Sequence, residues 1–337
     1  AVTLLKLPSL LAIAAFVPLC RRGLRAPLGE RAASAAALAS VLSPALFVNA
    51  AAWGQFDALL SLLLAAGVVA LLNRRAAWAG VAFGAALATK LLAVVALPAA
   101  AVWTWRRMGP RALATASLAG LLTIAALAAP YLAAGAGPRM ARAYTEAIGY
   151  YPFRTAEAYN GWYLLDRLDI AVRGEPAVVA RRDDRPVAGP VTYRHVGLGV
   201  FALAMGFLLA VLWRRPSDHG LVIAQAASFF AFFMLPTQVH QRYLVPAAVL
   251  ATLVAFRSRR AWLLAAGLTV GATVNQGLDL ARAVLDHAAL QPGSTLFPPA
   301  YRGPIRAAAS VVALFHLALF AWTMAVYPRE MAPPAAR

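Results

Sequence analysis

Three polar clusters far apart in the chain carry the side chains able to do chemistry. The first is Asn49-Ala50-Ala51-Ala52-Trp53-Gly54-Gln55-Phe56-Asp57. Asp57 stands at the mouth of an apolar run, where a carboxylate is costly unless it is hydrated, paired or used. It serves there either as a helix cap or, with Trp53 and Gln55 beside it, as part of a polar ligand site. The second is Lys90, an isolated cation between two apolar blocks. It either snorkels to an interface or holds a phosphate. The third is the turn Thr237-Gln238-Val239-His240-Gln241-Arg242-Tyr243. His240 and Arg242 are the residue types that bind a phosphate or diphosphate leaving group.

Other chemistry finds little support. The five histidines, His195, His219, His240, His287 and His316, have no partner of ligand type one helical turn away, so no metal site is expected. His316 falls inside an apolar stretch and is expected to hydrogen-bond within the protein. Arg182-Asp183-Asp184-Arg185 reads as a solvated loop. No Gly-rich phosphate loop and no Gly-x-Ser-x-Gly nucleophile occurs. The one cysteine, Cys20, excludes an intramolecular disulfide.

The elements that must position these groups are membrane helices. Of 337 residues, 62% are hydrophobic and 13% charged, and the mean hydropathy is +0.68. Disordered proteins, disulfide scaffolds and ordinary soluble enzymes do not have that composition. Apolar blocks of span type fall at Leu4–Leu19, Ala33–Phe47, Ala58–Leu72, Ala76–Ala88, Leu91–Trp105, Ala112–Leu132, Val196–Trp213, Leu221–Leu235, Tyr243–Phe256, Ala261–Leu280 and Ile305–Val326. They predict an all-α polytopic bundle, a single domain over residues 1–337, with about nine to eleven spans or half-spans. The pair flanking Lys90 suits two half-depth helices, and Gly80, Gly84 and Ala88 suit close helix approach.

The formal net charge of +18 does not indicate nucleic acid, because the arginines cluster in short loops such as Arg74-Arg75, Arg106-Arg107, Arg214-Arg215 and Arg259-Arg260. Alternating spans put these clusters on one side, taken as the cytoplasm. The opposite, exoplasmic face then holds Asn49 through Asp57, Lys90, the outer loop 137–194, the turn Pro236–Arg242, the segment Arg282–Gly303 and most acidic residues. The outer loop is rich in aromatics, including Tyr151, Tyr159, Trp162 and Tyr163, and Ala158–Leu168 is expected to be an interfacial helix. Its rings act either as interface anchors or as a platform for a sugar ring or lipid headgroup.

Together these segments resemble the GT-C superfamily of integral membrane glycosyltransferases, above all bacterial polyprenyl-phosphate-sugar-dependent enzymes related to GPI mannosyltransferases. Asn49 to Asp57 resembles an Asn-x3-Trp-Gly-Gln-Phe-Asp segment of that group. Ala88-Thr89-Lys90 resembles a Thr-Lys-Pro element, with Leu91 in place of the proline. Tyr151-Pro152 followed by Ala158-Tyr159-Asn160-Gly161-Trp162 resembles an Asn-x-Trp segment. His240-Gln241-Arg242-Tyr243-Leu244 resembles a His-Glu-Arg-Tyr-Leu turn, with Gln241 where glutamate is usual. Such enzymes begin with a further span and an outer loop carrying an acidic base. Lys6-Leu7-Pro8 resembles the start of the span after that loop. The resemblance therefore leads us to expect an N-terminally truncated chain that lacks the base and is inactive alone.

The resemblance implies transfer of a hexose, mannose first, from a polyprenyl-phosphate donor to a glycan, lipid or protein acceptor at the outer face of the cytoplasmic membrane. Lys90, His240 and Arg242 are then expected to stabilise the departing phosphate. Trp53, Gln55, Asn160, Trp162 and Gln241 are expected to line the sugar or lipid site. Asp57 is expected in a supporting catalytic role. Membrane lipid is the surrounding partner, and no cofactor beyond the lipid-linked donor is implied. The rival readings are a polysaccharide polymerase or ligase of similar architecture, a lipid or sugar transporter, and a catalytically silent assembly scaffold.

Overall fold

A computed structural model describes residues 2–146, 149–174, 179, 181–289 and 302–330. Residues 147–148, 175–178 and 180 of the expected outer loop, and residues 290–301 of the expected outer segment Arg282–Gly303, lie outside the described residues. The chain is an all-α polytopic bundle. Its main helices are α1 (Val2–Gly23), α2 (Glu30–Val41), α3 (Asp57–Leu72), α4 (Ala76–Thr89), α5 (Leu97–Met108), α6 (Pro110–Ala133), α7 (Gly137–Thr145), α8 (Gly161–Arg173), α9 (Tyr193–Arg214), α10 (Asp218–Met234), α11 (Val245–Thr252), α12 (Arg259–Ala289) and α13 (Arg302–Glu330). Among the described residues, six segments are long and apolar enough to cross a membrane, and α3, α4 and α10 are shorter apolar helices. A small hairpin, β1 (Pro186–Ala188) with β2 (Val191–Thr192), is antiparallel.

The helices sort by burial as their sequences require. Along α10, Leu221 through Ala231 are all buried, so it forms the axis of the bundle. By contrast α6 has no buried residue and shows Leu118, Leu121 and Leu122 to the surroundings, as a lipid-facing helix does. The α4–α6 contact is as close as the small residues suggested. A Cβ at Gly80 or Gly84 would run into the backbone of Ala116 or Gly120.

The bundle has two chemically different ends. At one, Arg74 pairs with Asp218 at 3.0 Å, and Arg107 lies 3.7 Å from the same carboxylate. Glu330 meets His219 at 3.0 Å and Ser258 Oγ at 2.8 Å there, joining the end of α13 to the starts of α10 and α12. From this basic end α3 rises 16 residues to Asp57 and α4 rises 14 residues to Lys90. At 1.5 Å per residue both reach about 21–24 Å, short of the roughly 30 Å hydrocarbon thickness. The two ionisable groups therefore share one level at the end of the bundle opposite the arginine clusters.

Above that level, α8 and the surrounding loop cap the bundle. Asn160 begins α8, its Oδ1 accepting from the backbone N–H groups of Trp162 (3.1 Å) and Tyr163 (3.3 Å). Its Nδ2 donates to Phe233 O at 2.8 Å, and Trp162 Nε1 donates to Leu235 O at 2.8 Å. Those carbonyls sit at the C-terminal end of α10, where a helix leaves its last carbonyls unpaired. The loop thus closes the end of the central helix.

Candidate functional site

Asp57 is fully buried and is the hub of the upper end. Its Oδ1 accepts from Lys90 Nζ, and its Oδ2 accepts from Asn49 Nδ2 at 3.2 Å and lies 3.8 Å from Arg242 Nε. Asn49 reaches the carboxylate because Val48–Ala52 form a π-turn, which re-aims the side chains at the end of the second span. The same Asn49 amide donates to Gln276 Oε1 at 2.9 Å, and Trp53 Nε1 donates to Gln276 O at 3.3 Å. The first cluster is thereby fastened to α12.

Lys90 and Arg242 are only about a quarter exposed, and both face a carboxylate that cannot itself reach solvent. Lys90 also lies over the Tyr243 ring, 4.9 Å from its centroid. The Arg242 guanidinium makes its ion-pair approach to Asp57 but donates no hydrogen bond to any described residue, although Nε is buried. Two cations against one carboxylate leave a local positive charge, with guanidinium donors unspent. That arrangement accepts an anionic oxygen, a phosphate above all.

His240 stands beside them, edge-on to Tyr151 at 5.0 Å and to Tyr243 at 5.3 Å. Burial lowers its pKa, with Arg242 and Lys90 adding to the effect, to about 4. Without a phosphate beside it the imidazole therefore favours its neutral form at pH 7, which keeps a hydrogen bond within its chemistry. Because the charged form is disfavoured, protonation falls below about pH 5 and leaves the range above it flat. His240→Gln is expected to lower sugar transfer without altering a rate–pH profile between pH 5 and 8. A step near pH 6.5 in the parent protein that vanishes in the variant would contradict this.

The remaining expected site residues divide. Trp53 joins the cluster through Gln276. Gln55 is half-buried, its backbone N–H donating to Asn49 O at 3.0 Å and its carbonyl accepting from Ser9 at 2.7 Å. Its side chain hydrogen-bonds to no described residue. Gln241 is buried at the start of the 3-10 turn Gln241–Leu244. Asn160 and Trp162 have their polar atoms committed to α8 and to the end of α10, so the structure shows them as braces of the loop. His316 is buried with Nδ1 2.7 Å from Tyr159 O, within the bundle as its sequence position suggests.

Asp183 corrects the expectation of a solvated loop. It is fully buried and accepts from Arg194 Nε and Nη2 (both 3.1 Å), Thr237 Oγ1 (2.7 Å) and Gln238 Nε2 (2.8 Å). Backbone bonds from Ala156 N to Val239 O (2.9 Å) and from Gln238 N to Phe153 O (3.0 Å) continue the seam. The outer loop is thus bolted to the residues immediately before His240 and Arg242.

Sequence reasoning missed Asn49 as a working side chain, and it missed Asn275 and Gln276 altogether. The available signal was two adjacent amides inside the apolar run Ala261–Leu280, a costly placement without partners. Among the described residues no group of three or more His, Cys, Asp or Glu is placed to hold a metal ion.

The family model for glycosyltransferase family 87 matches residues 1–236, which carries the first cluster, Lys90 and the outer loop and stops just before the His240–Arg242 turn. No curated protein matches the chain.

Proposed function

The chain belongs to glycosyltransferase family 87, and on that footing we propose that it transfers a hexose, mannose first among candidates, from a polyprenyl-phosphate carrier to an acceptor hydroxyl at the outer membrane face. The observation that supports this most is the buried Asp57 with Lys90 on one oxygen and Arg242 facing the other. The acceptor oxygen bonds to sugar C1 as the C1–O bond to phosphate breaks, the electron pair leaves on the phosphate, and the hydroxyl proton is released to water at the outer face. Lys90 and Arg242 stabilise that growing charge in a partly dry site, where fixed cations act most strongly. His240, neutral, donates a hydrogen bond to the same phosphate. Asp57 is too enclosed to take the hydroxyl proton; it is a positioning residue that fixes both cations.

The level of the cluster favours a lipid-borne donor. A phosphate tethered to an isoprenoid chain lies near the boundary that Asp57 and Lys90 reach, whereas a soluble nucleotide sugar has no such constraint. The arginine clusters at the other end support an outer position for the cluster by the positive-inside rule. Proteoliposomes of the full-length protein, supplied with labelled polyprenyl-phosphate hexoses and separately with nucleotide sugars, test the reading. Transfer from the lipid-linked donor alone is expected. Transfer from a nucleotide sugar without a lipid intermediate would refute it.

A further inference from the structure

The arginine-rich end of the bundle has a pocket that the transfer chemistry does not use. It opens between the last turn of α1, the end of α3 and the start of α4, and holds about 380 Å³, room for a lipid headgroup. Leu19 and Val69 belong to its apolar part, and Arg22, Asn73, Arg75 and Trp78 to its rim. No carboxylate of a described residue lines it.

The pocket follows from how the chain turns between α3 and α4. Asn73 Nδ2 donates to Gly23 O at 2.7 Å and to Val69 O at 2.8 Å, which ties the end of α1 to the end of α3. A Cβ at Gly23 would run into Val69, so the two helices meet closely there. Arg74 then adopts φ +59°, uncommon for a residue with a side chain, and the two neighbouring arginines diverge. Arg74 goes to Asp218 at 3.0 Å and over the Trp103 ring. Arg75 lines the pocket instead.

The acids at this end are engaged elsewhere. Asp218 faces Arg74 and Arg107, Glu30 pairs with Arg25 at 3.1 Å, and Glu330 meets His219 and Arg260. Arg22 and Arg75 are exposed and make no ion pair with a described residue. Two uncommitted guanidinium groups on one acid-free pocket suit a phosphate. The rest of the lining says how that phosphate is carried. Trp78 is 65% exposed, as an indole at a membrane boundary is. The apolar part of the pocket and the exposed Leu11 and Val17 of α1 offer a surface to acyl chains, which a free ion does not need.

We propose that this pocket binds the headgroup of an anionic phospholipid, its phosphate held by Arg22 and Arg75. Basic pockets between membrane helices on the arginine-rich side recognise such headgroups. The bound lipid braces the base of α3 and α4, the two helices that carry Asp57 and Lys90 at their other ends. Binding itself does not depend on the transfer reading, because the pocket and the Asp57 cluster lie at opposite ends of α3.

Native mass spectrometry of the full chain in detergent tests this, with dioleoyl phosphatidylglycerol, dioleoyl phosphatidylcholine and inorganic phosphate as probes. Phosphatidylglycerol is expected to bind about tenfold more tightly than phosphatidylcholine, and excess inorganic phosphate should not displace it. Arg22→Gln and Arg75→Gln are each expected to weaken phosphatidylglycerol binding about fivefold, the effect of one arginine near an anionic headgroup. Arg214→Gln, also exposed at this end but outside the pocket, should leave binding unchanged. Circular dichroism identifies any variant that fails to fold. Equal affinity for the two lipids, full binding in both pocket variants, or an equal loss in Arg214→Gln would each overturn the proposal. Displacement of the lipid by phosphate would overturn it too, by showing a site for a free anion.

Discussion

In the full-length protein, Lys90→Ala and Arg242→Ala are each expected to lower the turnover of sugar transfer by about 10²–10³-fold, the usual cost of removing one preorganised group from a developing negative charge. The loss should fall on kcat at least as much as on the donor KM, because the charge on the phosphate grows as the C1–O bond breaks. Arg242→Lys should recover only part of the loss, since an ammonium keeps the charge but not the guanidinium fork. The two sites should not be additive. Removing Lys90 strips Asp57 of its nearest cation, and Arg242 can then close its 3.8 Å gap and turn away from the phosphate. Steady-state rates of both single variants and the double variant check this. Additive losses would mean that the two cations act independently of Asp57.

Asp183→Ala should have the largest effect on stability. It strands Arg194, Thr237 and Gln238 together, and loss of a buried, multiply bonded carboxylate costs about 2–4 kcal/mol when its partners cannot all rehydrate. Arg194 is a third exposed, which keeps the figure below that for a fully enclosed pair. The damage should be local. Hydrogen exchange should quicken across residues 149–160 and 181–195, and at Thr237–Arg242, while α3 and α10 keep their protection. Sugar transfer should fall with it, because the loop holds the turn that carries Arg242. Unchanged exchange in those segments would show that the loop is held by other means.

These two predictions rest on residues whose legibility in the sequence differed. Asp57, Lys90 and Arg242 stood out because an ionisable group beside an apolar run has few inexpensive reasons to be there. The helical class and the two-ended sorting of charge followed from the same cost. Asp183 was hidden, since a run of Arg and Asp has the same composition whether water or protein surrounds it; only the fold brings Arg194 and Thr237 to it. The bracing role of Asn160 and Trp162 was hidden for a related reason. An amide and an indole close together suit a ligand, and they suit equally well the open carbonyls at the end of α10, which no linear pattern reveals. Asn49 depended on a π-turn, one irregular step that an apolar periodicity does not register. Gln276 sat in a helix rich in Gly, Ala and Thr, where a neutral amide stands out far less than a charge.

Binding of a lipid-linked phosphate by Lys90 and Arg242 together is the contact most directly open to measurement. Titration of the detergent-solubilised full chain with a polyprenyl phosphate bearing no sugar isolates that contact from the chemistry of transfer. Saturable binding in the parent protein, weakened about tenfold or more in Lys90→Ala and in Arg242→Ala, is the result predicted. Equal affinity in all three proteins would contradict it.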